Sequence, residues 1–450
     1  MPRPCKVIIS GGGITGLALA LMLEKHDIDY ILLEAYPEIV AAPGVGIGLF
    51  VNGLRILDQL GCYEDLYADG KNVFRSTDTR NPDGYAVGKI EKINEIIAEK
   101  HGYENIWVFR VQLIRVLYNH IADKSKLLAG KRVATVDQTE SNVQVTTTDG
   151  SVYNGDILVG ADGIHSCVRK EMVRIAKEKG LEEYEDDNAI PATYVYLFGC
   201  SKGVPKMPTD TLTFVFGEKH SHLYGGNGTD EVSWFLSVNT GKTSYGDEIP
   251  RYTQEDAEAL YEKYKDDKVA DDVRLSDLWE RKTALTISPG HEFIPKKWSL
   301  GRMIVIGDAA HKMSPVTGQG ANQGIETAAA LTNSLVSALT RADTSGPLCT
   351  SEVQNVFEEV FAMRHARVTE TLDVGHKRQL LDALETPELK DFALNKFPAV
   401  FGTMLLDRWE KAFVAAPSLK ALPCPYRPRT VPFLDELPET KEKDATPARL

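Results

Sequence analysis

Apolar positions change rhythm along this chain, and each rhythm predicts an element. Lys6 to Ser10 is a short β-branched run, Val7-Ile8-Ile9, that ends in a glycine cluster. Ile14 to Lys25 then reads as an apolar helix rich in Leu and Ala, and Tyr30 to Glu34 as a second short strand. Strand, tight turn, helix, strand makes a parallel pair joined by a crossover. A helix is predicted from Asn52 to Leu60, capped by Asn52 and stopped by Gly61. Another runs from about Val111 to Ile121, with Leu113, Leu117 and Ile121 on one face. Lys131 to Asp137 and Val143 to Thr147 alternate and predict a hairpin across Glu140-Ser141-Asn142. Ile157 to Gly160 is the continuous apolar run of a buried strand.

Between residues about 180 and 295 the strand–helix rhythm stops. Tyr194 to Cys200, Leu212 to Phe216 and Ser233 to Val238 predict a separate sheet inserted into the nucleotide-binding chain. Met303 to Ile306 returns to a buried strand, and a long helix follows from about Gln319 to Leu339. Residues 351 to 385 keep a helical pattern with many charges, expected to be solvated. Beyond Ala416 come Pro417, Pro423, Pro425, Pro428 and Pro432, and the final charged residues read as disordered.

Composition narrows the function classes. A chain of 450 residues suggests two packed domains, and 43% apolar with 26% charged residues supports a large core. The net charge of −13, without a basic block, argues against nucleic acid as a partner. Cys5, Cys62, Cys167, Cys200, Cys349 and Cys424 are scattered, without zinc-ribbon spacing; no metal centre is predicted, and the thiols read as reduced packing residues. The apolar N-terminus is broken by Gly11-Gly12-Gly13, so it does not read as a signal peptide, and Phe397 to Leu406 is too short to span a membrane. A cytoplasmic protein is expected; the terminal Ala448-Arg449-Leu450 resembles a peroxisomal address and makes that compartment the alternative.

Three motifs carry chemistry. In Gly11-Gly12-Gly13-Ile14-Thr15-Gly16, Gly11 permits the turn after the strand, Gly13 lets backbone approach a pyrophosphate, and Gly16 lets the helix lie close to the sheet. The helix N-terminus offers free N–H groups and partial positive charge to the phosphates. Glu34, ending the next strand, can accept both hydroxyls of an adenosine ribose and would repel a 2′-phosphate. Second, the strand at Ile157 delivers Asp162 and Gly163 to a turn at its carboxyl end, where Ser166 can cap a helix; His165 reads as a surface residue. Third, Asp308 in Gly307-Asp308-Ala309-Ala310-His311 can accept a ribityl hydroxyl, and Gly318 to Asn322 opens a helix whose dipole favours negative charge. His311 reads as a locally bonded packing histidine, with catalytic base the other reading.

Together these segments, from about residue 5 to 330, resemble the group A flavoprotein monooxygenases, the family of para-hydroxybenzoate hydroxylase. The resemblance implies an α/β fold: a Rossmann-like FAD-binding domain with an inserted mixed β-sheet substrate domain and a helical C-terminal part. The boundaries expected are 1–180 and 296–345 for the FAD domain, 181–295 for the substrate domain with contributions from segments near 71–110, 346–415 for the helical part, and 416–450 for a Pro-rich, partly disordered tail. It further implies that Gly11, Gly13 and Gly16 approach the FAD pyrophosphate and Glu34 the ribose. By the same resemblance Arg110 reaches the FAD, Asp162 and Gly163 serve FAD and nicotinamide, and Asp308 lies near the ribityl–pyrophosphate junction. Gly320 and Ala321 would line the isoalloxazine, and Pro315 its reactive face.

A finer similarity is to FAD-dependent epoxidases of fungal indole diterpene and meroterpenoid biosynthesis. Gly46-Ile47-Gly48-Leu49 after Val45, Asn52-Gly53, Arg55-Ile56-Leu57, Lys312 and Ile325-Glu326-Thr327 carry it, and it makes Gly48 a backbone contact to FAD. The implied reaction uses noncovalent FAD, NAD(P)H as transient reductant and O2. A flavin C4a-hydroperoxide would epoxidise or hydroxylate a small hydrophobic secondary-metabolite intermediate. Phenol hydroxylation and oxidase or dehydrogenase chemistry without oxygen insertion are the alternatives. His222 and Tyr224, in the histidine-rich segment before Trp234, are candidate substrate contacts or proton donors, against the plainer reading of ordinary strand residues.

Overall fold

The structure, a computed structural model, describes residues 3–40, 46–69, 74–226, 228–341 and 346–438. Val45, the charged C-terminal residues and Ala448-Arg449-Leu450 lie outside the described residues.

Lys6–Ser10 lies inside a six-stranded sheet, between Ile157–Gly160 and Asp29–Leu33, all parallel. Met303–Val305 continues it beyond Ile157–Gly160, and Leu127–Leu128 beyond Asp29–Leu33. Ser299–Leu300 closes one edge antiparallel. Successive side chains on a strand face opposite ways, so a strand covered on both sides must be apolar throughout. Val7 and Ile9 face the core built with the helix Ile14–Lys25, while Ile8, Leu158 and Val305 face the other way. There they meet Val136 and Val145 of a three-stranded antiparallel sheet, Val133–Gln138, Val143–Thr147 and Val152–Gly155. The helices Ile14–Lys25 and Gly320–Leu339 stack side by side, because Gly324 has no Cβ to strike Thr15.

The second sheet has seven strands in the order Lys282–His291, Pro191–Lys202, Glu231–Tyr245, His220–Gly226, Thr211–Gly217, Ser76–Arg80, Ala86–Ile90. All neighbours are antiparallel except Thr211–Gly217 with Ser76–Arg80, so the sheet is mixed. Its two faces are buried differently. Val195, Leu197, Val215, Tyr224, Trp234 and Leu236 form a core with Tyr264 of the helix Gln254–Tyr264; this is its back. Leu223 and Phe235 belong to the main core on the other side, its front.

The C-terminal region departs from the sequence expectation in one place. The helix Thr350–Asp382 is not a solvated one. Val353, Val356, Phe357, Val360 and Val368 are buried at helical spacing. Its charges enter the interior in pairs, as with Arg378 and Asp382, 2.7 Å apart. The proline-containing stretch up to residue 438 is laid along the helix Val51–Gln59. Arg55 donates to the Ala416 carbonyl and to Asp435, and stands 3.9 Å from the centre of the buried Phe433 ring. Arg427 pairs with Asp58. The apolar run from Phe397 lies in the helix Phe397–Val414, with Phe397, Phe401, Leu405, Trp409 and Phe413 buried four residues apart. Among the described residues no helix is long and apolar enough to cross a membrane.

Candidate active site

The carboxyl ends of the parallel strands converge on one crevice, the place where open α/β sheets hold ligands. Gly11 follows Lys6–Ser10 with φ +107°, and a Cβ there would lie 2.5 Å from the Ala161 carbonyl oxygen. The glycine loop therefore rests directly on the Asp162 turn. Ser10 Oγ donates to Asp162 Oδ2 at 3.2 Å, and the amides of Cys167 and Val168 donate to the same oxygen at 2.8 and 3.2 Å. Asp162 Oδ1 is buried and has no partner. Burial raises the Asp162 pKa, and the hydrogen bonds only partly offset it. Gly163 has φ +82° and open space where a side chain would be.

Glu34 is clamped beside the loop, its carboxylate accepting from the Gly12 amide at 2.5 Å and the Tyr36 amide at 2.8 Å. Arg110, heading the helix Arg110–His120, brings its guanidinium to 3.8 Å from the Cβ position of Gly13. It is exposed and makes no hydrogen bond or ion pair among the described residues. The helix Ile14–Lys25 has neither a capping side chain nor an acidic residue in its first turn, and nor has Gly320–Leu339. Two uncapped helix N-termini and a free guanidinium make a cradle for an anion.

Asp308 lies in the turn after Met303–Val305; Lys312 Nζ donates to its Oδ2 at 2.6 Å, and Oδ1 is 3.9 Å from the Cβ position of Gly320. Asn322 draws the remaining pieces together. Its amide nitrogen donates to the carbonyls of Gly48 and Gly318, both at 2.9 Å, and its oxygen accepts from the Phe50 amide at 3.1 Å. Gly48 is on the strand Gly46–Leu49, paired with Ile106–Phe109. The structure thus gathers Gly11, Gly13, Gly16, Glu34, Arg110, Asp162, Gly163, Asp308, Gly320 and Ala321 around one crevice, with Gly48 and Pro315 at its inner end. An unpartnered carboxylate oxygen, a free arginine and glycines without space for a Cβ fit FAD. Arg110→Ala is expected to weaken FAD binding about 10–100-fold, the worth of one charge-assisted hydrogen bond. The apoprotein should stay within about 0.5 kcal/mol of wild type, since the side chain supports nothing else. Flavin fluorescence titration and thermal melts of the apoprotein check the two halves.

Asn52 does not cap its helix, which begins at Val51. Its amide donates instead to Gln319 at 3.0 Å and to Glu326 at 2.6 Å. His311 is buried and bonds Thr327 Oγ1 at 2.9 Å, with its pKa pushed down to about 4 by burial; it packs locally. His165 is exposed.

The structure separates the two candidates His222 and Tyr224: Tyr224 is away from the crevice lining, whereas His222 borders it. Both stand on the strand His220–Gly226 at the parity of its back face. Tyr224 lies in the core with Trp234, and His222 Nε2 meets Asp267. The crevice at Pro315 is walled by Tyr196, Leu223, Phe235, Ser237 and Gln379, with His222 at its border. Phe198 stacks on Tyr196 with ring centres 5.7 Å apart and meets Phe235 edge-on at 5.1 Å. Tyr196 Oη lies 3.0 Å from Ser314 Oγ and 3.2 Å from Gln379 Oε1. Gln379 in turn donates to Ser237 Oγ at 2.8 Å. The strand Tyr194 to Cys200 was legible, but it is apolar or small at every position, so nothing in the sequence told its front from its back.

Known proteins resemble this chain in sequence and in fold. Residues 4–350 match a family described as "FAD binding domain". The chain is 32% identical over 428 residues to the FAD-dependent monooxygenase olcE of Penicillium canescens, covering 95% of this chain and 91% of that one. It is 34% identical over 424 residues to the FAD-dependent monooxygenase ausM of Penicillium brasilianum, covering 94% and 88%. Among solved structures, HpxO of Klebsiella pneumoniae with FAD and uric acid has a similar fold: TM-score 0.74 at 22% identity, over 92% of this chain and 97% of that one. A salicylate hydroxylase substrate complex gives TM-score 0.66 at 21% identity, over 93% and 99%.

Proposed function

The chain belongs to the FAD-binding domain family and is an FAD-dependent monooxygenase, and from that premise we propose that it epoxidises or hydroxylates a hydrophobic secondary-metabolite intermediate with NAD(P)H and O2. The substrate class is an isoprenoid, meroterpenoid, indole or polyketide. The observation that carries this reading is the aromatic front wall, Tyr196, Phe198 and Phe235, opposite the Pro315 turn. Bound in the crevice, FAD would supply the redox chemistry that uses electrons from NAD(P)H to activate O2 for transfer of one oxygen atom.

The protein's own residues supply position and dryness. Arg110 and the amides of the glycine loop would hold the phosphates, and Glu34 and Asp308 would hold hydroxyls along the cofactor. The front wall excludes water from the transfer and offers flat apolar surface to the substrate. Burial pushes the Tyr196 phenol well above its usual pKa, so it stays protonated as a hydrogen-bond donor. Tyr196→Phe is expected to lower kcat/KM about 10-fold, the worth of one hydrogen bond. More NAD(P)H should then be consumed per product, with FAD affinity within about twofold of wild type, since Tyr196 is not among the pyrophosphate contacts.

The direct test is O2 consumption by the yellow protein with NADH or NADPH, with prenylated indoles, meroterpenoid precursors and simple phenols, followed by mass spectrometry. A product gaining one oxygen supports the reading, and the compound that responds separates epoxidation from phenol hydroxylation. Loss of two hydrogens with stoichiometric H2O2 would replace it with an oxidase.

A further inference from the structure

The back of the substrate sheet carries a cluster of two histidines and a carboxylate that the flavin chemistry does not use. His220 and His222 are two apart on one strand and therefore project from the same face. The Nε2 atoms of both lie 2.8 Å from a single oxygen, Asp267 Oδ2. We propose that His220, His222 and Asp267 form a binding site for a divalent transition-metal ion of the zinc class.

Geometry is the first argument. The three ligand atoms all lie within 4.8 Å of one another. Tetrahedral zinc with bonds of about 2.0–2.1 Å holds its ligand atoms about 3.3 Å apart. The cluster needs to open by only about half an ångström to admit the ion.

Hydrogen bonding is the second. His220 Nδ1 lies 2.9 Å from the Glu218 carbonyl oxygen, which can only accept. That nitrogen must carry the hydrogen, so Nε2, aimed at a carboxylate, is the ring nitrogen left to ligate a metal ion. Its lone pair can hold the ion in place of the proton that otherwise bridges Nε2 and the carboxylate. Metal-bound histidines characteristically donate their other N–H to a carbonyl in this way.

The surroundings make a built site rather than a surface coincidence. His222 is buried, and the Tyr264 ring covers His220 with centres 4.5 Å apart. Two imidazoles and one carboxylate favour zinc and its neighbours over calcium or magnesium, which take oxygen ligands. The fourth position falls to water or an external ligand. The sequence predicted no metal because His-x-His gives two ligands, and the third lies 45 residues beyond His222. An ion here would tie the strand His220–Gly226 to the segment following the helix Gln254–Tyr264. Ser221 and Leu223 of that strand form part of the cavity wall on the front, so the ion would stiffen the wall from behind.

The test uses the full-length, FAD-loaded protein after treatment with a chelator. Calorimetric titration with zinc chloride should show one equivalent bound per chain, with a rise in melting temperature. Cobalt chloride should give d–d absorption at wavelengths beyond the flavin bands. H220Q and D267N should each lower zinc affinity by at least about 100-fold, since even outer-shell partners alter it 10–100-fold. Both should keep the flavin spectrum, because neither side chain faces the FAD crevice. If H220Q fails to fold, D267N decides, as asparagine keeps the shape and a hydrogen-bonding oxygen. Wild type that takes up no stoichiometric zinc overturns the proposal. So does uptake that survives in D267N, which would place the ion elsewhere, as on the exposed Cys349 or Cys424.

Discussion

Replacing Glu326 by glutamine is expected to lower the stability of the folded protein by about 3–5 kcal/mol, the cost of leaving buried charge without its partner. Glu326 is fully buried on the helix Gly320–Leu339. Oε1 accepts from Asn52 at 2.6 Å and from Arg367 at 2.8 Å, while Oε2 accepts from Arg367 at 2.7 Å and from Arg364. Arg364 is itself buried and also donates to Gln323 Oε1 at 2.5 Å. Glutamine fits the space but removes the negative charge, so two guanidinium groups are left facing one another. Thermal and urea melts would read the loss, and one below about 1 kcal/mol would show that water or rearrangement compensates the arginines.

The same carboxylate sets a pH dependence. Burial opposes its ionisation, but Arg364 and then Arg367 outweigh burial and hold its pKa down to about 2, against an ordinary value of 4.5. A depressed carboxyl stabilises the fold in full above its unfolded pKa and loses that contribution as pH falls through its folded pKa. The difference in melting temperature between wild type and Glu326→Gln should therefore be constant from neutral pH down to about 5 and shrink below 4.5. A gap that persists unchanged to pH 3 would assign the effect to shape instead of charge.

Gly16→Ala should yield colourless protein. Gly16 lies in the first turn of the cradle helix, and a Cβ would fall far inside contact distance of the Gly11 carbonyl oxygen. That oxygen is backbone and has nowhere to retreat, because the Cβ position of Gly11 is already blocked by Ala161 and Asp162. The helix must shift away from the loop whose amides would meet the phosphates. Overpacking of this kind costs about 1–3 kcal/mol in stability. The loss of aligned phosphate contacts should weaken FAD by at least about 100-fold, or roughly 2.7 kcal/mol. Absorbance of the purified protein reads the flavin, and circular dichroism with melts of the apoprotein separates lost binding from lost folding. A yellow G16A protein of normal affinity would mean that the pyrophosphate is held elsewhere.

The sequence by itself determined the local parts of this protein. The strand Lys6–Ser10, its glycine turn and the helix after it are encoded within 20 residues, and so is the hairpin around residue 140. The turns at Asp162 and Asp308 are equally local, because a strand end, a turn and a helix start are set by neighbouring residues. The segments singled out as a fungal signature, Asn52, Arg55 and Glu326, could be read as a pattern but not as a network. Their partners lie hundreds of residues away: Asn52 is 274 residues from Glu326, and Arg55 is 361 residues from Ala416. Only the tertiary structure joins them.

It also decided which strand residues wall the cavity at Pro315. Leu223 pairs with Phe235 and Tyr224 with Trp234, and one step of parity separates the cavity wall from the back core. Both faces of this sheet are buried, so hydrophobic alternation, the usual guide to parity, is erased. The assignment was made by pairing with distant strands and by the helices that cover each face. The same folding brought Asp267 to the two histidines, an arrangement no short motif could announce.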